Sequence, residues 1–338
     1  MTGHVKPVPD GTQGSPPSDF PFLDAYLAPI SSVLVQPDVT DIYINHPGEI
    51  WIERLGGGIE WQGVPTLTEA GLWRLARQIA SLSHQGINRE HPLLSARLPD
   101  GSRVQIVAPP ATRGPLAMAI RRHVSADLTL DDYASSGAFA GLDEQARDEP
   151  STDNASPAAL LAEAVRQRRT ILISGGTSTG KTTFLNALMR EIPDHERLIL
   201  IEDTPELQLS HANAIGLVAV KGELGEARVT ADDLLQASLR MRPDRIILGE
   251  LRGNEAYTFL RAINTGHPGS MTTIHADSPA KAIEQLALII LQSGTRLSRE
   301  DVAHYIRGTV DLFVQLERRG GKRVVRTIAS KGDVANPS

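Results

Sequence analysis

Polar and apolar positions alternate through Asp41-Ile42-Tyr43-Ile44-Asn45, meet His46-Pro47-Gly48-Glu49, and resume as Ile50-Trp51-Ile52-Glu53. Period-two alternation on either side of a proline–glycine segment predicts a strand, a turn and a strand. Leu72, Leu75, Ile79 and Leu82 then recur at helical spacing. They predict a helix over 68–81, capped by Thr66 or Thr68. Leu98-Pro99-Asp100-Gly101-Ser102 predicts a turn between two strands, the second at 103–107, and a third strand follows at 116–121. Residues 20–124 therefore read as a small α+β domain.

The rhythm changes further on. Short apolar runs at 170–174, 198–202, 245–249 and 271–275 alternate with helical patterns. Thr230-Ala231-Asp232-Asp233 reads as a capping box. Ala256, Phe259, Leu260 and Ile263 lie on one helical face, and Ser278-Pro279 as an N-cap with proline at the first helical position. Apolar strands alternating with helices predict parallel strands and crossover helices, an α/β domain over 158–330. It should close with a hairpin pairing 311–317 with 323–328 around Gly320-Gly321. Polar, Pro/Ser-containing stretches predict a disordered tail at 1–19, a linker at 125–157 and a short tail at 331–338.

Composition narrows the classes. A length of 338 residues suits two domains. The formal charge of -6 lacks the basic excess of a dedicated nucleic-acid binder, so no sequence-specific nucleic acid is expected. With no cysteine, disulfides, cysteine–zinc sites and thiol nucleophiles are excluded, and a reducing cytosol suits the chain. Met1-Thr2-Gly3-His4-Val5-Lys6-Pro7 lacks the apolar core of a secretory signal. The run Leu286–Leu291 is too short to span a bilayer.

One segment carries unmistakable chemistry. Gly175-Gly176-Thr177-Ser178-Thr179-Gly180-Lys181-Thr182-Thr183 contains G-x-x-x-x-G-K-[ST], with the apolar Ile171-Leu172-Ile173 before it and a helix bearing Phe184, Leu185, Leu188 and Met189 after it. Glycines let backbone N–H groups wrap phosphates, and the helix N-terminus adds positive potential. Lys181 is expected on the β- and γ-phosphates and the Thr182 hydroxyl on Mg²⁺. Ligands of such sheets bind beyond the carboxyl ends of the strands, where this chain places Glu202, Glu250 and His275. Glu250 suits an acid that holds Mg²⁺ through water or orients the attacking water, and His275 a hydrogen bond to the γ-phosphate or that water. Arg240, Arg242, Arg245 and Arg252 cluster around the Glu250 strand and are candidate phosphate contacts; an ion-pair network with Asp244, Glu250 and Glu255 is the alternative. His267, in Gly266-His267-Pro268-Gly269, is as readily a structural turn residue.

The P-loop is followed, in order, by three further blocks. They are Arg197-Leu198-Ile199-Leu200-Ile201-Glu202-Asp203-Thr204, the segment from Ser238-Leu239-Arg240-Met241-Arg242-Pro243-Asp244-Arg245 to Gly249-Glu250-Leu251-Arg252, and Gly266-His267-Pro268-Gly269-Ser270-Met271-Thr272-Thr273-Ile274-His275-Ala276. Together they resemble the Asp box, Walker B and His box of the secretion ATPase superfamily, most closely its VirB-eleven-type ATPases of type IV secretion systems. The resemblance spans roughly 20–330. It implies a RecA-like P-loop NTPase domain preceded by a smaller α+β N-terminal domain. It also implies ATP and Mg²⁺ as ligands, and a homohexamer that is cytoplasmic, peripheral to the inner membrane and partnered by inner-membrane secretion components. By the same likeness Lys181, Glu202, Glu250 and His275 are catalytic, Thr182, Glu202 and Glu250 serve the metal, and Arg103 and Arg121 (or Arg122) reach the nucleotide from the first domain. Glu202 and Glu250 both remain candidate bases, and the placement of the N-terminal domain over its own or its neighbour's ATPase domain stays open. A pilus retraction or type II secretion ATPase and a RecA-like DNA translocase are the rivals; the missing Cys-x-x-Cys pairs argue against the type II assembly branch.

Overall fold

The alternating segments near the N-terminus pair into one antiparallel sheet, while the continuous apolar runs build a second, mostly parallel one. The computed structural model describes residues 19–55, 57–83, 85–122, 127–142, 156–220 and 228–334. Two compact units divide between Arg122 and His123. The expected tail at 1–18, the core of the expected linker at 143–155 and residues 335–338 lie outside the described residues.

In the first unit α1 (Pro21–Leu27), a 3-10 turn and α2 (Ser31–Leu34) precede β1 (Val39–Ile44), β2 (Glu49–Arg54) and β3 (Ile59–Gly63). Then come α3 (Glu69–Leu82), β4 (Leu93–Arg97), β5 (Arg103–Val107) and β6 (Ala117–Arg121), and the sheet order is β3-β2-β1-β6-β5-β4. Thr68 caps α3 by accepting from the Gly71 N–H at 3.1 Å. Alternation sends Ile42, Ile44, Ile50, Ile52, Val104, Ile106 and Ile120 to one face, where they pack with Leu72, Leu75 and Ile79 of α3. The other face carries a row in which Arg97, Arg103, Arg121, Asp41 and Glu53 are successive cross-strand neighbours.

The second unit begins with α4 (Leu130–Ser135), a helix inside the stretch that composition marks as linker. Thr129 and Asp132 form a capping box, and Leu130 and Tyr133 are buried. Local capping and two apolar anchors thus fold a segment that reads as polar on average. There follow α5 (Pro157–Arg166), β7 (Ile171–Gly175), α6 (Lys181–Met189), β8 (Leu198–Glu202), β9 (Ala214–Val218), α7 (Ala231–Ser238) and β10 (Arg245–Leu248). After them come α8 (Glu255–Asn264), β11 (Met271–Ile274), α9 (Pro279–Gln292), α10 (Arg299–Thr309), β12 (Leu312–Arg319) and β13 (Lys322–Ser330). The order is β13-β12-β7-β11-β10-β8-β9, parallel except for the β12–β13 hairpin.

Strands β7, β8, β10 and β11 are buried throughout, because both faces are covered. Ile171, Ile173, Leu198, Leu200 and Ile247 pack with α4, α5 and α6. Leu172, Ile199, Ile201, Ile246 and Leu248 pack with α7, α8, α9 and α10. This three-layer arrangement lines up the carboxyl ends of four parallel strands along one edge, and the glycine-rich loop leaves from one of them.

Candidate active site

The loop after β7 owes its shape to two glycines. A β-carbon on Gly175 would lie 2.5 Å from Thr179 Oγ1 and 3.0 Å from the Leu316 carbonyl. Gly180, which N-caps α6, has φ +90, a conformation that L side chains rarely adopt. Thr179 Oγ1 donates to the Gly176 carbonyl at 2.9 Å and braces the turn. Helix α6 has no side-chain cap, so its first N–H groups are left for an anion.

Lys181 opens α6 and is buried to 9% exposure. Its Nζ donates to the Gly175 carbonyl at 3.0 Å and the Gly176 carbonyl at 3.1 Å, and it stands 3.3 Å from His275 Nδ1. His275 follows β11, and its Nε2 lies 2.8 Å from Glu250 Oε1. Arg252 Nε donates to the other oxygen of Glu250 at 2.6 Å. Lys181, His275, Glu250 and Arg252 therefore stand in succession across the ends of three strands, with Glu250 Oε1 near His275 but without a hydrogen-bond partner. With Lys181 donating to Nδ1, the imidazole proton sits on Nε2, facing Glu250.

Electrostatics favour the neutral His275 ring. Burial, and after it the charge of Lys181, hold the His275 pKa below 6.5 against the opposing pull of Glu250. Lys181 is itself lowered, first by burial and also by Arg252, with Glu250 acting against both. A depressed histidine pKa means that the neutral ring is favoured in the fold. That contribution is complete above pH 6.5 and is lost as pH falls through the folded value. In an NMR titration the His275 midpoint is expected below 6.5 and should rise in Lys181→Met; an unchanged midpoint would separate the two groups.

On the β8 side the structure adds a residue that the strand-end rule overlooks. Glu202 is buried, and its Oε1 accepts the N–H groups of Glu206 at 2.7 Å and Leu207 at 2.8 Å. Those bonds fold the chain back after β8, so that Glu206 Oε2 accepts from the Thr182 hydroxyl at 3.0 Å. Asn186 of α6 holds the same loop through the Glu206 carbonyl and the Gln208 N–H. The spacing Glu-Asp-Thr-Pro-Glu carried the signal: a second acid one short loop beyond the strand, with a proline between to forbid helix.

Within the chain, Arg252 is the arginine brought to Glu250, and it also lies 3.8 Å from Asp203. Arg240 and Arg242 precede β10 and so lie at the opposite end of that strand from Glu250. Arg245, Glu196 and His267 occupy the same far edge: Arg245 pairs with Glu196, and His267 Nδ1 sits 3.0 Å from the Pro243 carbonyl. Glu255 is buried and accepts the Arg252 and Gly253 N–H groups at 2.7 Å, fixing the loop after Glu250. Arg103 and Arg121 face each other across β5 and β6 in the first unit.

Among the described residues no group of three or more His, Asp or Glu side chains could cage a metal. Mg²⁺ in phosphoryl-transfer sites uses one or two protein oxygens and takes the rest from phosphates and water. The Thr182 hydroxyl with Glu206 beside it fits that requirement.

The chain matches the family model described as type II/IV secretion system protein over residues 24–318. It is similar to the type IV secretion system protein VirB11 of Bartonella quintana (strain Toulouse), 38% identical over 327 residues that cover 89% of this chain and 91% of that protein. It is likewise similar to VirB11 of Brucella suis biovar 1 (strain 1330), 38% identical over 308 residues, 87% of this chain and 85% of that one. Among solved structures, the pilus retraction motor PilT with bound ADP aligns over 91% of this chain and 82% of its own, with a TM-score of 0.59 and 21% identity, a likeness of fold.

Proposed function

This chain belongs to the type II/IV secretion system protein family and, within it, to the VirB11 group of type IV secretion ATPases, and from that premise we propose how its residues make ATP hydrolysis drive the secretion machine. It has the α/β RecA-like ATPase domain and preceding α+β domain of that group. The observation that carries the catalytic reading is the close succession of Lys181, His275 and Glu250 at the strand ends beside the glycine-rich loop, where Glu250 Oε1 is buried without a hydrogen-bond partner.

In this reading the loop 175–180 and the N–H groups of α6 bind the phosphates, and Lys181 neutralises the β- and γ-phosphates. Glu250 accepts a proton from, or orients, the attacking water, because it is the acid aligned with Lys181 through a neutral histidine. Arg252 holds the second Glu250 oxygen, so the carboxylate turns one face to the reaction. Glu202 acts by positioning: its acceptor bonds to the Glu206 and Leu207 N–H groups make it the support of the loop rather than the base. Thr182 and Glu206 would hold Mg²⁺, directly or through water. The ion supplies charge neutralisation at the β- and γ-phosphates when bound. Glu206→Gln keeps the hydrogen-bond geometry and removes the charge. It is expected to raise the Mg²⁺ concentration for half-maximal ATPase roughly tenfold, and an unchanged Mg²⁺ dependence would remove Glu206 from the metal site.

The working assembly is a homohexamer at the cytoplasmic face of the inner membrane, in which Arg103 and Arg121 contribute cationic contacts to nucleotide. No helix among the described residues is long and apolar enough to cross a membrane, which agrees with peripheral attachment. The discriminating experiment pairs Mg²⁺-dependent phosphate release with pull-down of inner-membrane type IV secretion components. Hydrolysis together with capture of those components is the expected result. Hydrolysis stimulated by single-stranded DNA alone, without capture, would point to a translocase.

A further inference from the structure

Strand β12 runs parallel to β7 with Leu316 opposite Gly175, so the residues after Leu316 continue past the strand end alongside the phosphate loop. The hairpin turns at Gly320 and Gly321, both with positive φ, and β13 returns with Arg323 paired to Arg318. Arg318, Arg319, Lys322, Arg323 and Arg326 are concentrated here, against one carboxylate, Glu317, in the whole of β12 and β13. Arg319 and Arg326 each approach Glu317 at 3.4 Å.

Arg323 is different. It is half-buried, and its side chain crosses the α-carbon of Gly180, where a β-carbon would lie 2.9 Å from Arg323 Cδ and 3.3 Å from Nε. Among the described residues no carboxylate pairs with its guanidinium. Its charge acts on buried Tyr133, which packs edge-on against Phe184 of α6 at 5.0 Å and whose hydroxyl has no hydrogen-bond partner. A guanidinium held against backbone without an anion has given up hydration for no charge partner.

Direction decides what that partner is. Lys181, His275 and Glu250 mark the γ-phosphate end and lie toward β11 and β10; β12 and β13 lie on the other flank of β7. A nucleotide with its γ-phosphate at Lys181 and its β-phosphate in the loop leaves toward that second flank. There the next negative charge along the chain of phosphates is the α-phosphate. We infer that Arg323 is the counter-charge for the α-phosphate of the bound nucleotide, an assignment that rests on the phosphate-loop reading above. Gly180 is then required for a second reason besides its φ: any side chain there would displace the arginine that closes the nucleoside end of the site.

The test is Mg-ADP affinity of the full chain, wild type against Arg323→Gln and Arg323→Lys, at two salt concentrations, with ligand-free melting temperatures measured alongside. Loss of a charge-assisted bond to phosphate predicts roughly tenfold to hundredfold weaker ADP binding by Arg323→Gln, with a shallower salt dependence than wild type. Arg323→Lys keeps the charge without the fork and is expected to fall between the two. It also serves as the comparison should Arg323→Gln melt early. GDP, sharing the α-phosphate, should be weakened by the same factor. Equal ADP affinity of wild type and Arg323→Gln overturns the inference, as does a loss confined to ADP, which would make Arg323 a base contact. Failure of the wild type to bind ADP at all overturns the phosphate-loop reading instead.

Discussion

Lys181→Ala is expected to lower ATP turnover at least a hundredfold while the chain still folds. Removing one preorganised charge from developing phosphate charge costs on the order of 10²–10³ in rate, about 3–4 kcal/mol. At the γ-phosphate end the neighbouring cation, Arg252, is committed to Glu250 and Asp203. The fold should survive because the apolar core beneath the loop, with Phe184, Leu185 and Leu188, does not involve the ammonium. Of its carbonyl acceptors, Gly175 is buried and Gly176 is half-buried, so water can replace the ammonium at Gly176. Phosphate release measured at saturating ATP and Mg²⁺ is the check. Turnover within threefold of wild type would mean that the loop is not the hydrolytic site. A large loss accompanied by an early melt would call for Lys181→Met, which keeps the stem.

The second large effect lies at the other edge of the sheet and concerns stability. Arg245 is fully buried, and its Nε and Nη2 donate to the two oxygens of Glu196 at 2.7 and 2.8 Å, while Nη1 donates to the Val165 carbonyl at 2.7 Å. Burial acts to raise the Glu196 pKa, but the hydrogen bonds and charge of Arg245, aided by Arg168, more than reverse it, leaving the group below 4.5. Arg245→Met strands a buried carboxylate, a change worth about 3–5 kcal/mol, or roughly 6–20 °C in melting temperature for a unit of this size. The low end is favoured because Arg168 still reaches Glu196 at 3.3 Å. Arg245→Met with Glu196→Leu should recover most of the loss, because it replaces the pair with apolar bulk. The sign with pH follows: a depressed carboxylate pKa gives stability that is present above pH 4.5 and lost as pH falls through the folded value. The gap between wild type and the double variant should therefore shift in favour of the double variant in acid. An Arg245→Met melt within 1–2 °C of wild type, measured by calorimetry, would refute the buried-pair argument.

Much of this was legible where local chemistry and function coincide. The phosphate loop is a fixed spacing of glycines, and its strand and helix follow from apolar runs on both sides. The capping box at Thr230 and the proline cap at Ser278 read correctly because their donors and acceptors lie within three residues. The strands bearing Glu202, Glu250 and His275 were legible as short apolar runs. What failed to show was contact at long separation. Arg245 looks like one more arginine near Asp244 and Glu250; its partner, Glu196, is 49 residues away. Glu206 escaped notice because its position depends on Glu202 accepting backbone N–H groups, which no periodicity records. Helix α4 hid in a polar stretch because two apolar residues and a capping box suffice for six residues on an existing surface. The edge strands β3 and β9, half or fully exposed, lack the apolar density that marks the central ones.

The place of β7 in the sheet also bears on how the chain is made. Its neighbour β12 arrives late: the Ser174 hydroxyl bonds a Gln315 oxygen 141 residues further along. At ribosomal rates of about 5–20 residues per second, that separation is roughly 7–28 s of synthesis. The first unit needs only strands within 39–121, and its sheet can be complete long before. A nascent chain would thus expose the phosphate-loop strand with its β12 side unpaired until β12 emerges. Chains interrupted before β12 would be poor nucleotide binders and ready substrates for chaperones.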